Sequence, residues 1–136
     1  MTTPDPPSMS LLHKIQSRLI PLSETPYLDA LVLISHVSNL TKSQLIANPK
    51  TLLTAKQNDQ LELALEQLSS GTPLPYVLGQ WEFYQLLFNI NPEVLIPRPE
   101  TEGLVDRALS WLDQNPTKNN CLELGTGSGC IAVALA

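Results

Sequence analysis

Between Leu122 and Ala132 the chain reads Leu-Glu-Leu-Gly-Thr-Gly-Ser-Gly-Cys-Ile-Ala, with three glycines at alternate positions behind an acidic residue. The flanking pattern predicts a short buried strand, Cys121 to Leu124, then a tight reversal and an apolar helix from Cys130 to Ala136. Glycine in such a reversal permits backbone angles that a side chain forbids and lets a ligand approach the main chain closely. The start of a helix turns unpaired N–H groups and a positive dipole end toward whatever sits there. A nucleotide-like cofactor is the chemistry that such a corner serves. Spacing narrows the choice. A dinucleotide fingerprint requires its third glycine at position 130, which is Cys. A phosphate-binding loop requires Gly-Lys followed by Ser or Thr, and no lysine follows Lys118.

Two upstream segments stand in a fixed order before this loop. The first is Pro73-Leu74-Pro75-Tyr76-Val77-Leu78-Gly79, followed by Glu82-Phe83; the second is Val94-Leu95-Ile96-Pro97-Arg98-Pro99-Glu100-Thr101-Glu102. With the E-x-G-x-G-x-G run from Glu123 to Gly129, they resemble the HemK/PrmC family of release factor glutamine methyltransferases. The resemblance is weak over residues 10–72 and strong from Pro73 onward, and Ile-Pro-Arg-Pro-Glu-Thr-Glu is its most specific part. It implies S-adenosyl-L-methionine as cofactor, which carries no pyrophosphate and so suits a loop without lysine. It implies that Glu123 acts near the methionine part and that Gly125, Thr126, Gly127, Ser128 and Gly129 form the binding loop. Leu95, Arg98 and Thr101 are implied to line the pocket from the second segment.

The same resemblance implies methylation of the glutamine side-chain amide in the Gly-Gly-Gln motif of class-1 peptide chain release factors, during translation termination. An amide nitrogen is a poor nucleophile because its lone pair is delocalised, and the family is understood to grip and orient it with Asn-Pro-Pro-Tyr. That motif is absent from these residues, as is a ribose-binding acid at the end of a second strand. Asn91-Pro92 and Asn115-Pro116 lack the second proline and the tyrosine. No catalytic residue is therefore expected here. The expectation is a fragmentary member, inactive alone, whose glycine loop begins a Rossmann-like domain. A further departure is Leu65 to Ser70, where relatives often carry Arg. The alternatives are a non-catalytic module that binds a release factor, and a nicotinamide oxidoreductase, which Cys130 disfavours.

The elements that must position these residues are legible as periodicity. The tail, residues 1–9, contains Pro4, Pro6 and Pro7. Leu11, Leu12, Ile15 and Leu19 recur at helical spacing up to Pro21, and Thr25-Pro26 opens a second helix with Leu28, Leu31, Val32, Ser35 and Leu40 along its inner face. A short helix follows Thr41, and Thr54 caps a fourth with Leu61, Ala64, Leu65 and Leu68 inward. Residues 10–72 thus form a helical bundle, which the resemblance implies is the substrate-recognition domain. Residues 73–96, rich in aromatic and β-branched side chains from Tyr76 to Ile96, are expected to form a linker with strands in a hairpin. Residues 97–136, which the resemblance implies begin the catalytic domain, are expected to hold a helix capped by Thr101 from Glu102 to about Gln114 with Leu104, Val105, Ala108, Leu109 and Leu112 inward, and a turn from Asn115 to Asn120 into the strand. The fold class is α/β overall. Arg98 either faces the cofactor or pairs on the surface with Glu100 or Glu102. Trp81, Phe83 and Tyr84 are expected to pack the hairpin onto the next domain.

Composition bounds the function. Of 136 residues, 43% are hydrophobic and 15% charged, so a packed core forms, and 5% aromatics imply an aliphatic one. The net charge of −5 is uneven: five Lys and Arg stand against six Asp and Glu through Pro75, and three against seven from Tyr76. A surface of that sign does not hold phosphate backbones, so direct nucleic-acid binding is not expected. Cys121 and Cys130 form neither a disulfide framework nor a metal motif and are read as small core residues. His13 and His36 are read as structural or surface residues. No secretory signal and no membrane-length apolar run is present, and a soluble, cytoplasmic protein without metal is expected.

Overall fold

A computed structural model describes residues 10–118 and 120–136. The expected proline-rich tail, 1–9, and Asn119 of the expected turn lie outside the described residues. The chain divides into two compact units between Leu78 and Gly79.

The first unit holds five helices: α1 (Leu11–Leu19), α2 (Pro26–Ser38), α3 (Lys42–Ala47), α4 (Ala55–Ser69) and α5 (Leu74–Leu78). Local chemistry sets most of the starts. Ser10, Thr41 and Thr54 each accept a main-chain N–H three residues on, and Gln44 and Gln57 return a side-chain bond to Thr41 and Thr54. These reciprocal capping boxes satisfy donors that a helix start otherwise leaves unpaired. Asn39 ends α2 at φ 58°, in the left-handed region that asparagine tolerates. Apolar stripes then converge on α2, which packs against α1, α3, α4 and α5. Ile15, Leu19, Leu33, Ile34 and Leu61 are almost wholly buried.

Several expectations change in this unit. Thr25 flanks α2 with Pro26 in the first turn, but its hydroxyl does not cap the main chain. It donates to Asp29 Oδ1 at 3.3 Å, while Ser23 donates to Asp29 Oδ2 at 2.6 Å, so one carboxylate gathers the turn. The inner face of α2 is Ala30, Leu31, Leu33, Ile34 and Val37, and Leu28 is 57% exposed. An almost continuous apolar run from Leu31 to Ile34 allows more than one face, and the neighbours that pack against α2 select one. The third difference is α5, where strands were expected from Tyr76. Tyr76 and Val77 both donate to Pro73 O, at 3.0 and 3.2 Å, and Pro75 stands in a first turn where no N–H is needed. Leu74 and Leu78, four apart on one face, are buried. The packing of that face outweighs the strand preference of the residues between them.

The second unit opens with an antiparallel hairpin, β1 (Gln80–Phe83) and β2 (Leu86–Asn89), in the register Trp81↔Phe88 and Phe83↔Leu86. Alternation puts Phe83 and Phe88 on one face, edge to face with ring centroids 6.4 Å apart, and leaves Leu87 65% exposed on the other. The strands are shorter than expected: Val94 and Ile96 lie outside any strand, in a connection that turns from Asn91 to Val94. A 3-10 turn, Pro99–Thr101, then leads into α6 (Glu102–Gln114).

Thr101 does not cap α6. It is already helical, at φ −73° and ψ −20°, with its N–H bonded to Arg98 O at 2.9 Å, and its hydroxyl makes no capping bond. A capping hydroxyl needs an extended residue, and the 3-10 turn removes that geometry. Val105 is the fully buried residue of α6, Ala108, Leu109 and Leu112 are half-buried, and Leu104 is 55% exposed. Cys121 to Leu124 do not form a strand, and Cys121, Leu122 and Leu124 are exposed rather than core. A central strand is stable only between neighbours that take its N–H and C=O groups and cover its faces. Among the described residues the one sheet is the hairpin. The chain ends its described course in α7 (Cys130–Leu135), which packs on α6 and buries Cys130. The observed architecture is thus helical with a small antiparallel sheet. No helix of the described residues is long and apolar enough to cross a membrane.

Candidate functional site

The glycine loop is a corner built from three left-handed residues. Gly125, Gly127 and Gly129 stand at φ 71°, 55° and 76°. A Cβ at Gly125 or Gly129 would meet nothing within 4 Å, and one at Gly127 would come only to 4.0 Å from Gly125 O. Glycine is therefore required by conformation rather than by crowding, at about 1–2 kcal/mol for each L side chain forced into that region. The space over the loop stays open. Gly129 N–H donates to Thr126 O at 2.8 Å and closes the turn, and Gly129 O accepts from Val133 as α7 starts.

Within this corner the Thr126 hydroxyl donates to Glu123 Oε2 at 2.8 Å. Glu123 is half-buried and keeps its second oxygen for another donor. Ser128 and Gly129 are half-buried, whereas Gly125, Thr126 and Gly127 are exposed. The loop thus presents a held carboxylate and open main chain to one approaching molecule. That set suits a ligand with an ammonium group, and it offers no cation for a diphosphate.

The second set of expected site residues lies on the connection before α6. Leu95 is 72% exposed, Arg98 is exposed, Thr101 is half-buried, and Pro97 between them is buried. Neither expected surface pairing of Arg98 forms, since among the described residues the ion pair is Arg18–Glu62. Glu102 bonds instead to the main chain of Tyr84. Glu123 and Thr126 are brought together by a bond; among the described residues no hydrogen bond joins Leu95, Arg98 or Thr101 to the loop.

One set of contacts escapes a reading of motifs. The hairpin turn, Tyr84-Gln85, has φ 51° and 60°, the paired left-handed geometry of a two-residue turn normally supplied by Asn-Gly. Tyr84 N–H donates to Glu102 Oε1 at 2.8 Å and Tyr84 OH to Asp106 Oδ1 at 2.9 Å. The bond to Asp106, then partial desolvation and the nearby charges of Asp106 and Glu102, hold the phenol pKa above its ordinary value. The available signal was the spacing of Glu102 and Asp106, four apart and so on one helical face.

Comparison with known proteins matches the model of the PrmC N-terminal domain to residues 10–79, half of the chain. The chain is also 38% identical to a release factor glutamine methyltransferase of Aliivibrio fischeri over 126 residues, covering 93% of this chain and 44% of that protein. It is 40% identical to one from Coxiella burnetii over 125 residues, 90% of this chain and 44% of the relative. For one from Escherichia coli the figures are 41% over 114 residues, 84% and 40%. The chain thus spans less than half the length of these relatives. Through the match of its helical unit, the chain belongs to the PrmC N-terminal domain family.

Proposed function

We propose that this chain belongs to a protein that methylates the glutamine amide of peptide chain release factors with S-adenosyl-L-methionine, and that residues 123–129 hold the cofactor. Its similarity, over nine-tenths of its length, to proteins named release factor glutamine methyltransferase carries this reading. The open corner supports it: three left-handed glycines leave main chain uncovered beside a carboxylate already oriented by Thr126.

Bound there, S-adenosyl-L-methionine would supply an electrophilic methyl group on sulfonium sulfur. Glu123, held by Thr126, would accept from the ammonium of its methionine part, and Gly125, Gly127 and Gly129 would admit the nucleoside against the backbone. We place Leu95, Arg98 and Thr101 at the pocket edge, with Pro97 and Pro99 restricting the chain on both sides of Arg98. In-line attack by an amide nitrogen requires the acceptor to be gripped and aligned. The Asn-Pro-Pro-Tyr that the family resemblance assigns to that grip is absent from these 136 residues. Recognition of the release factor is assigned to the helical unit, and the site to a reducing cytoplasm, where translation termination occurs.

The direct test is an NMR titration of the 136-residue chain with S-adenosylhomocysteine, the demethylated cofactor. Weak binding is expected, with shifts centred on Gly125, Gly127 and Gly129; shifts confined elsewhere would remove the proposal. This polypeptide alone is expected to move no labelled methyl group onto a release factor, and measurable transfer would show that Asn-Pro-Pro-Tyr is dispensable.

A further inference from the structure

We propose that Tyr84 is a positioning residue, latching the hairpin tip to α6 through Glu102 and Asp106 and so holding the connection Asn91 to Thr101, with Leu95 and Arg98, in one arrangement for the cofactor. The role toward the cofactor rests on the methyltransferase reading above; the latch itself does not.

The backbone at Tyr84 and Gln85 lies where neither residue type is favoured. Such conformations persist when surrounding contacts over-determine them, and they concentrate where geometry matters. Here the contacts are the two bonds of Tyr84, one from its main chain and one from its ring. They land one helical turn apart on α6, on either side of the fully buried Val105. The latch thus fixes both the position and the rotation of the helix start.

Main-chain bonds tie the connection between hairpin and helix at both ends. Ile90 N–H reaches Gly79 O at 3.0 Å at one end, and Thr101 N–H reaches Arg98 O at 2.9 Å at the other. Between them the turn at Asn91 is closed by Val94 N–H to Asn91 O at 3.1 Å and Glu93 N–H to Asn91 Oδ1 at 2.9 Å. Glu102, where the latch grips, is the residue after Thr101 and four after Arg98. A displacement at Glu102 therefore passes directly into the segment that presents Arg98. The ring bond to the Asp106 carboxylate is charge-assisted and lies at the surface, so its loss leaves the buried Phe83 and Val105 packed and the unit folded.

The experiment compares the 136-residue chain with Tyr84→Phe, Glu102→Ala and Glu102→Gln, the last keeping an acceptor for the Tyr84 N–H. In Tyr84→Phe and Glu102→Ala, amide exchange at Val94 and Thr101 is expected to quicken about tenfold, while Ile90, bonded to Gly79 O just beyond β2, and Asn58 in α4 stay unchanged. Glu102→Gln is expected to stay within about twofold of the parent. Unchanged exchange at Val94 and Thr101, or equal acceleration at Ile90, would overturn the latch. In the second arm, Tyr84→Phe is expected to weaken S-adenosylhomocysteine binding about fivefold, followed by shifts at the three loop glycines. An unchanged dissociation constant would overturn the positioning role. If the parent chain shows no shifts at those glycines, the cofactor reading fails instead, and exchange decides the latch alone.

Discussion

Tyr84 and Gln85 carry the strain of the hairpin turn, and the two differ in what offsets it. Tyr84 has its bonds to Glu102 and Asp106. Gln85 is exposed at φ 60°. Gln85→Gly is accordingly expected to stabilise the second unit by about 1 kcal/mol, because glycine adopts this geometry freely. Chemical denaturation with a loss of stability would contradict the assigned turn. The Tyr84 phenol has a folded pKa above its unfolded value, so the native state keeps a proton that the unfolded chain gives up first. The stabilisation is fully present below the unfolded tyrosine value and is lost as pH rises through the folded one. Spectrophotometric titration should find Tyr84 ionising above the ordinary tyrosine value, and Asp106→Ala should bring it back down. Glu62 behaves in the opposite sense. Its bond to Arg18, with an N–O distance of 2.6 Å, lowers its pKa, so that contribution is present at neutral pH and fades as pH falls through the depressed value. The pair is largely exposed and contributes about 0.2–1 kcal/mol.

Helix starts illustrate how one residue type serves different ends. Thr54 is extended, caps α4 and is answered by Gln57, whereas Thr101 is helical and caps nothing. Thr54→Ala is expected to cost about 1 kcal/mol of stability, and Thr101→Ala only a few tenths. Equal losses in thermal denaturation would show that the 3-10 turn before α6 is misplaced. Both threonines precede a helical pattern and look alike in sequence; Pro99 and the bond from Thr101 N–H to Arg98 O separate them. The same lesson holds for Tyr76 and Val77. Their types favour strands, yet Leu74 and Leu78 bury one face of a helical turn. Burial of two leucines is worth about 3–6 kcal/mol, more than the roughly 1 kcal/mol that strand preference spans.

At the scale of the molecule, the two units differ in how far they enclose their own apolar surface. In the first, five helices bury a continuous aliphatic core around α2, and Leu33→Ala is expected to cost about 2–5 kcal/mol. In the second, Leu122 and Leu124 are 87% and 86% exposed beside the glycine loop. Their amides are expected to exchange without protection in the 136-residue chain, and slow exchange there would contradict the absence of a strand. The Thr54 cap, the apolar stripes of α1 and α4, the hairpin, and the order of motifs that pointed to the family were readable without coordinates, whereas the capping roles of Thr25 and Thr101 were not. So was the need for glycine at 125, 127 and 129. Each depends on residues within a few positions of one another, where covalent geometry and local hydrogen bonds decide the outcome. Three things required the assembled chain: which face of α2 turns inward, the helical state of Tyr76, and the grip of Tyr84 on Glu102 and Asp106. Each depends on partners distant in sequence or packed from other elements, and short-range patterning carries no record of them. The unformed strand at Cys121 to Leu124 belongs with these, because a strand's hydrogen bonds are completed by neighbours and never by the strand alone.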